Sequence, residues 1–333
     1  MSNKSQKPED LLDLNIPTLN DVNKVLKEVL EKTNNEDFKL RLKKKFEKIK
    51  NYHPTIVVFG DSGVGKSSLI NSLFGVNVCQ TSDVKEGTKE PQKVESDEIT
   101  IIDFPGIGHE GESQEKYIRM YLEWLKKENI DLILWVIKAD DRSYINSQTF
   151  YNQLVSEFGE IPVLFVISQI DKLHPVHGFS RINDPDKLEL IDEAESQEEK
   201  QRIFEEYSFK LSDKQNENLK IKIDDIAEKF KVDKNRIIPV SANYNINIEY
   251  LAEKIIDVLP KEKKYSFFKN FNEEVITENI KKETEKSFID NIIETAKEFG
   301  KAVLEGVKNI IIEKAKDKLK DIFDELWPPK WLK

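Results

Sequence analysis

Cysteine is nearly absent from this 333-residue chain: Cys79 stands alone, so no disulfide can close within it, and a reducing compartment suits it. Histidine is scarce too, at four residues, and His174 and His177 in H-P-V-H have no companion ligand motif that would make a zinc site. Positive charge is in deficit. The 52 Lys and Arg against 62 Asp and Glu leave a net charge of -10, which argues against non-specific attraction to nucleic acid, and no specific nucleic-acid partner is predicted. Uncharged apolar runs fall short of the roughly 18 residues that a membrane-spanning helix needs. The opening M-S-N-K-S-Q-K-P-E-D has no apolar signal-peptide core, so a cytoplasmic location is the expectation. Twelve glycines and twelve prolines, against 34% charged residues, point to a mainly helical soluble protein longer than one ordinary domain.

What is present is concentrated in Thr55 to Phe74, where an apolar run breaks into a glycine-rich turn and then into a helical pattern. Gly60, Gly65, Lys66 and Ser67 complete G-x-x-x-x-G-K-S, the spacing of a phosphate-binding loop. The glycines let successive N–H groups turn inward on a phosphate chain. Lys66 then reaches the β- and γ-phosphates, Ser67 offers its hydroxyl to Mg²⁺, and the start of the following helix adds partial positive charge.

Downstream segments extend the pattern. Val76 to Glu98 reads as a polar, turn-rich loop holding Thr88 in E-G-T-K-E-P. A threonine there either ligates Mg²⁺ over the nucleotide, ordering its loop when a γ-phosphate is present, or is an ordinary loop residue. Ile99 to Asp103 is a short strand ending in a carboxylate, about 40 residues past the phosphate loop. Asp103 is placed to hold Mg²⁺ and the Gly106 N–H to sense the γ-phosphate, while Gly106, Gly108 and Gly111 give the next segment the freedom of a switch. Asp131 to Ile137 and Ile161 to Ile167 are continuous apolar runs, as in strands buried on both faces of a parallel sheet, and Arg236 to Val240 gives the last strand. The run ending at Ile167 leads into S-Q-I-D, whose Asp171 can accept hydrogen bonds from guanine N1 and N2, for which adenine has no matching donor pair. Ser241, Ala242 and Asn243 follow the last strand and can face guanine O6.

G-D-S-G-V-G-K-S, Thr88, D-F-P-G, S-Q-I-D and S-A-N together resemble the five G motifs of the TrmE–Era–EngA–septin class of GTPases. L-W-V-I-K-A-D-D-R and the stretch after Ala242 are similar to its bacterial YfjP-type branch, over about residues 54 to 260. The resemblance implies an α/β P-loop GTPase domain with a six-stranded, mostly parallel sheet, Mg²⁺ as cofactor and GTP or GDP as ligand. Asp61, Ser62, Gly63, Val64, Gly65, Lys66, Ser67, Ser68, Gln169, Asp171, Ser241 and Ala242 would bind nucleotide; Ser67, Thr88 and Asp103 the metal; Lys66, Thr88 and Gly106 would serve catalysis. Three departures matter. Gln169 stands where the family most often has Lys, Gly63 where potassium-activated members have Asn, and Ile107 where Ras-like proteins have the water-orienting Gln, so slow unaided hydrolysis is expected. His109, two residues on, reads either as a water-positioning group or as an exposed loop residue.

The chain ends are helical. Pro17 to Thr33 and about Glu36 to Lys50 carry apolar stripes, and the cluster Arg41, Lys43, Lys44, Lys45 is either a solvated face or a contact for an acidic partner. Between about 172 and 235 an insertion holds the acidic run Glu189 to Glu199. From Phe288 to Trp327 the apolar residues keep one helical stripe for about ten turns. Either this stripe packs on the N-terminal helices, an outline similar to the immunity-related GTPases, or it lies on a membrane surface, as Trp327 and Trp331 invite. The organisation expected is a helical segment over 1–53, the GTPase domain over 54–260 and a second helical segment over 261–333 that packs with the first. A nucleotide-dependent switch acting on an unknown protein effector, or assembling as a homodimer, is the leading reading. Its rival is a helical partner- or membrane-binding protein with a vestigial nucleotide site.

Overall fold

The computed structural model describes residues 20–61, 63–75, 92–95, 98–104, 114–141, 145–173 and 211–314. Along the described residues run α1 (Asn20–Lys32), α2 (Glu36–Lys50), β1 (Thr55–Phe59), α3 (Lys66–Phe74), β2 (Gln92–Glu95) and β3 (Thr100–Asp103). Next come α4 (Gln114–Leu125), β4 (Leu132–Lys138), α5 (Ile145–Phe158), β5 (Val163–Ser168), α6 (Asp213–Phe230) and β6 (Ile237–Pro239). The chain continues with α7 (Ile248–Val258), α8 (Lys261–Phe268), α9 (Glu278–Glu298) and α10 (Lys301–Lys314). Two compact units result: Thr55–Ile255, and Met1–Pro54 together with Ile256–Lys333.

The first unit is built on a six-stranded sheet of order β2-β3-β1-β4-β5-β6, parallel except for β2. Every residue of β1 and β5 is buried, as a parallel strand covered on both faces requires. β2 falls inside the stretch read from sequence as a loop. Its Q-K-V-E is polar because it is the antiparallel edge strand, with Lys93 ion-paired to Glu95 at 2.7 Å and to Glu128 at 3.4 Å. Below the sheet Phe59, Phe104, Trp135 and Phe150 pack at centroid separations of 4.6 to 5.5 Å. Tyr121 and Leu125 of α4 are each 1% exposed and join this cluster.

A buried carboxylate aligns the sheet at its lower edge. The Asp131 carboxylate accepts the Thr55 N–H at 2.8 Å, while the Asp131 N–H donates to the Thr55 carbonyl at 2.9 Å, so the entries of β1 and β4 are locked reciprocally. Asp131 is 1% exposed. On the other side, Ser212 and Gln215 form a capping box at the start of α6, and Gln215 Nε2 donates to the Leu173 carbonyl at 2.8 Å. The helix is thereby tied to the turn that follows β5.

The second unit is a helical bundle made from both chain ends. α1 buries Val22, Val25, Leu26, Val29 and Leu30, and α2 buries Phe38, Leu42, Phe46 and Ile49. α2 packs on α8 and α9, and α1 on α9 and α10. Phe46 meets Phe288 at 5.4 Å between centroids, and Phe38 meets Phe299 at 5.7 Å. Asn35 starts α2 by accepting the Phe38 N–H at 2.9 Å. The single long stripe read from sequence is corrected here: it breaks at Gly300, whose φ of +92° is left-handed, and continues as α10. Period alone does not see such a break, because both helices bury apolar residues. Positions beyond 314, with both tail tryptophans, lie outside the described residues. Of the basic cluster on α2, Arg41 lies 3.5 Å from Glu298, and with Lys44, Lys45, Lys48 and Lys263 it lines a cleft of about 360 Å³. No helix among the described residues is long and apolar enough to cross a membrane.

Candidate functional site

The site begins where β1 ends. A Cβ on Gly60 would lie 2.6 Å from the Val136 carbonyl oxygen, so no larger residue fits where the chain leaves the sheet. Gly63 and Gly65 have φ of +75° and +91°, and Gly65 is the left-handed residue from which α3 starts. The first N–H groups of α3 have no partners within their own helix, and the helix dipole adds positive potential there. An anion is the natural ligand for such an end.

Lys66 folds over its own loop. Its ammonium donates to the Gly60 carbonyl at 2.9 Å and to the Asp61 carbonyl at 3.3 Å, and lies 3.5 Å from Asp103 Oδ1. Asp103 is the last residue of β3, and its Oδ1 is buried with no hydrogen-bond donor among the described residues. Burial pushes its carboxyl above the ordinary range, and Lys66 pulls it part of the way back. A carboxylate oxygen is the donor chemistry that Mg²⁺ prefers, and this one stands beside the lysine that follows the phosphate loop. Among the described residues no group of three or more His, Cys, Asp and Glu side chains is placed to hold a metal.

The other end of the site is assembled after β5 and β6. Ser168 Oγ donates to the Val64 carbonyl at 2.7 Å, and Gln169 Nε2 donates to the Gly63 carbonyl at 2.8 Å, so the end of β5 is stitched to the phosphate loop. Asp171, 7% exposed, accepts a hydrogen bond from Ser241 Oγ at 2.6 Å. The loop after β6 is closed by reciprocal backbone bonds between Ser241 and Ile246 at 3.1 and 2.9 Å. Asn245 and Asn247 take left-handed conformations in it, which asparagine tolerates better than most residues. A cleft of about 560 Å³ lies between these segments, lined by Gly65, Ser68, Gln169, Asp171, Lys172, Ala242 and Asn243. That volume is in the usual range for small-ligand sites.

The structure therefore brings Val64, Gly65 and Ser68 of the phosphate loop into one cleft with Gln169, Asp171 and Ala242, and Ser241 meets it through Asp171. Lys66, with Asp103 beside its ammonium, folds over the Gly60 and Asp61 carbonyls of the same loop, Gly63 accepts from Gln169, and Ser67 follows Lys66 in α3. Ser62, Thr88 and Gly106 lie outside the described residues, as do Cys79, Ile107, His109, His174 and His177. Two contributors escaped the sequence reading: Ser168, visible only as a letter of S-Q-I-D, and Lys172, which stands at the start of the insertion with no role in the sequence pattern.

A family model described as 50S ribosome-binding GTPase matches residues 55–169. YkfA of Escherichia coli (strain K12) is 40% identical over 154 residues, covering 45% of this chain and 53% of YkfA. YfjP of the same organism is 32% identical over 226 residues, covering 67% of this chain and 68% of YfjP. The chain belongs to the YfjP family of proteins with a P-loop GTPase domain. Its match spans about half the length of YkfA and about two thirds of YfjP, both uncharacterized proteins. Among solved structures, a probable GTP-binding protein engB is 24% identical, covering 61% of this YfjP-family chain and 97% of that chain, at a TM-score of 0.39. Era in complex with MgGDPNP and nucleotides of 16S ribosomal RNA is 22% identical, covering 62% and 57%, with a TM-score of 0.39. At these identities and scores the likeness extends to no statement about ligand or partner.

Proposed function

We propose that this YfjP-family protein binds GTP and GDP with Mg²⁺ and hydrolyses GTP slowly, as a nucleotide-dependent switch. The observation that carries the reading is a cleft in which the phosphate-loop residues Val64, Gly65 and Ser68 share a lining with a fixed carboxylate, Asp171, while Lys66 folds over the same loop. The loop N–H groups and Lys66 hold the β- and γ-phosphates and offset the charge that develops as water attacks the γ-phosphorus. Ser67 and Asp103 would hold Mg²⁺, directly or through water, and Thr88 would join them in the GTP-bound state. Bound there, the ion supplies charge neutralisation at the phosphate oxygens. Asp171 accepts hydrogen bonds from guanine N1 and N2, and Ser241 and Ala242 face O6. Gly106 reports the γ-phosphate to its own loop, and the helical unit carries the resulting change to a protein effector.

Because Ile107 offers no polar group to the attacking water, the unaided rate is slow, roughly 10⁻⁴ to 10⁻² per second. A second copy of the chain in the GTP-bound state is the source we favour for the missing group. Phosphate release from GTP by the purified protein, with Mg²⁺ or with chelator, tests the reading. Slow, Mg²⁺-dependent release that disappears in Lys66→Ala supports it, whereas rapid turnover by the monomer, or release indifferent to Lys66, overturns it. Size measurement with a non-hydrolysable GTP analogue tests the dimer: a strictly monomeric protein removes it.

A further inference from the structure

The Gln169 side chain is held at both ends of its amide. Nε2 donates to the Gly63 carbonyl at 2.8 Å, and Oε1 accepts from Lys172 Nζ, also at 2.8 Å. Both partners are chemically one-sided, since a carbonyl only accepts and an ammonium only donates, so the orientation of the amide is determined by its contacts. The terminal torsion of a glutamine is otherwise soft. Here two bonds to opposite ends fix its plane. The side chain also lies across the phosphate loop: a Cβ on Gly65 would stand 3.5 Å from Gln169 Nε2 and 4.0 Å from Cγ. The backbone of Gln169 has φ of +56°, a conformation that costs a non-glycine residue energy and that recurs where a site over-determines it. Lys172 lines the same cleft as Gln169 and Asp171.

A glutamine in this place lacks the positive charge of the lysine common at the position in the resembled class. We propose that Lys172 is a positioning residue for the nucleobase: through its charge-assisted bond it holds the Gln169 amide as a flat support for one face of the base and returns the missing charge to that support. The work of one lysine is thus divided between two residues. This inference rests on the nucleotide reading above. Lys172 is exposed, so water screens its charge and the expected effect is moderate.

The test measures the affinity of the full chain for GDP and for inorganic tripolyphosphate, which engages the phosphate loop but has no base. Lys172→Ala weakens GDP by about three- to tenfold and leaves tripolyphosphate unchanged, while Lys172→Arg keeps most of the GDP affinity. Gln169→Lys supplies the charge directly, so adding Lys172→Ala to it costs GDP affinity little or nothing. Equal GDP affinity in Lys172→Ala and the unaltered protein overturns the proposal. So does a parallel loss of tripolyphosphate, which marks a general disturbance of the loop, and so does a double variant as weak as Lys172→Ala alone. Absence of GDP binding by the unaltered protein overturns the nucleotide reading itself, and this inference with it.

Discussion

Ser241 Oγ stands 2.6 Å from Asp171 Oδ1, and both residues are buried although they lie 70 positions apart. The hydroxyl donates to one carboxylate oxygen and so fixes the side chain that is proposed to read the base. The contact joins the end of β5 to the end of β6, on the carboxyl-end side of the parallel strands, the side on which open α/β sheets bind their ligands. Ser241→Ala leaves a buried carboxylate oxygen without this donor, at a cost of about 1–3 kcal/mol. Guanine-nucleotide affinity is expected to fall about tenfold, measured by calorimetry, with tripolyphosphate binding retained. An unchanged affinity for GDP would mean that the serine does not hold the carboxylate in solution.

Asp103 is expected to trade stability for ligation. Burial raises its folded-state pKa above the ordinary value of 3.8, so the folded chain binds this proton more readily than the unfolded chain does. The associated stability is fully present below the ordinary value and is lost as pH rises through the raised one. At neutral pH the ionised carboxylate is therefore a cost to the ligand-free protein. Asp103→Asn removes that cost and raises the melting temperature of the nucleotide-free protein. It also weakens Mg²⁺-dependent nucleotide binding, on the order of 10- to 100-fold. In the unaltered protein, Mg²⁺-dependent binding should decline with acidification sooner than an exposed aspartate would require. A lower melting temperature for Asp103→Asn contradicts this account.

Gly60→Ala places a methyl group 2.6 Å from the Val136 carbonyl oxygen, which is backbone and cannot swing aside. Overpacking of this kind costs about 1–3 kcal/mol. Denaturant unfolding should report the loss as a lower midpoint with an unchanged slope. Nucleotide binding falls with it, because the loop must shift.

In the helical unit, Phe46 is 5% exposed and rests on Phe288. Phe46→Ala should cost about 3–5 kcal/mol of that unit's stability. Gly300→Ala introduces no clash, yet it forces a Cβ into a left-handed conformation for about 1–2 kcal/mol. Hydrogen exchange should show the Phe46→Ala change concentrated in α2 and α9, and the Gly300→Ala change in α9 and α10. Uniform exchange across them, identical to the unaltered protein, would refute the Gly300 turn.

The phosphate loop and the buried strands were legible in the sequence because each imposes a one-dimensional pattern: fixed glycine and lysine spacing, or an unbroken apolar run. β2 was not, since an edge strand can be as polar as a loop. Gly300 was hidden inside a stripe whose period carries across the break. In sequence Asp131 is only the first residue of an apolar run, and Lys172 only the start of the insertion. Their positions matter through partners at Thr55 and Gln169, and sequence order gives no distance between Thr55 and Asp131. Ser168 and Gln169 carried a weak signal in S-Q-I-D, but their bonds to the Val64 and Gly63 carbonyls required the fold.

The central claim is that Asp171 reads guanine at one end of a cleft whose other end holds phosphate. Its most direct test is a calorimetric titration of GTP, GDP, ATP and XTP with Mg²⁺ on the full chain and on Asp171→Asn. The account predicts a preference for GTP and GDP over ATP in the unaltered protein, and a shift toward XTP in the variant, because xanthine pairs with an amide where guanine pairs with a carboxylate. Equal binding of ATP, or no nucleotide binding at all, would contradict it.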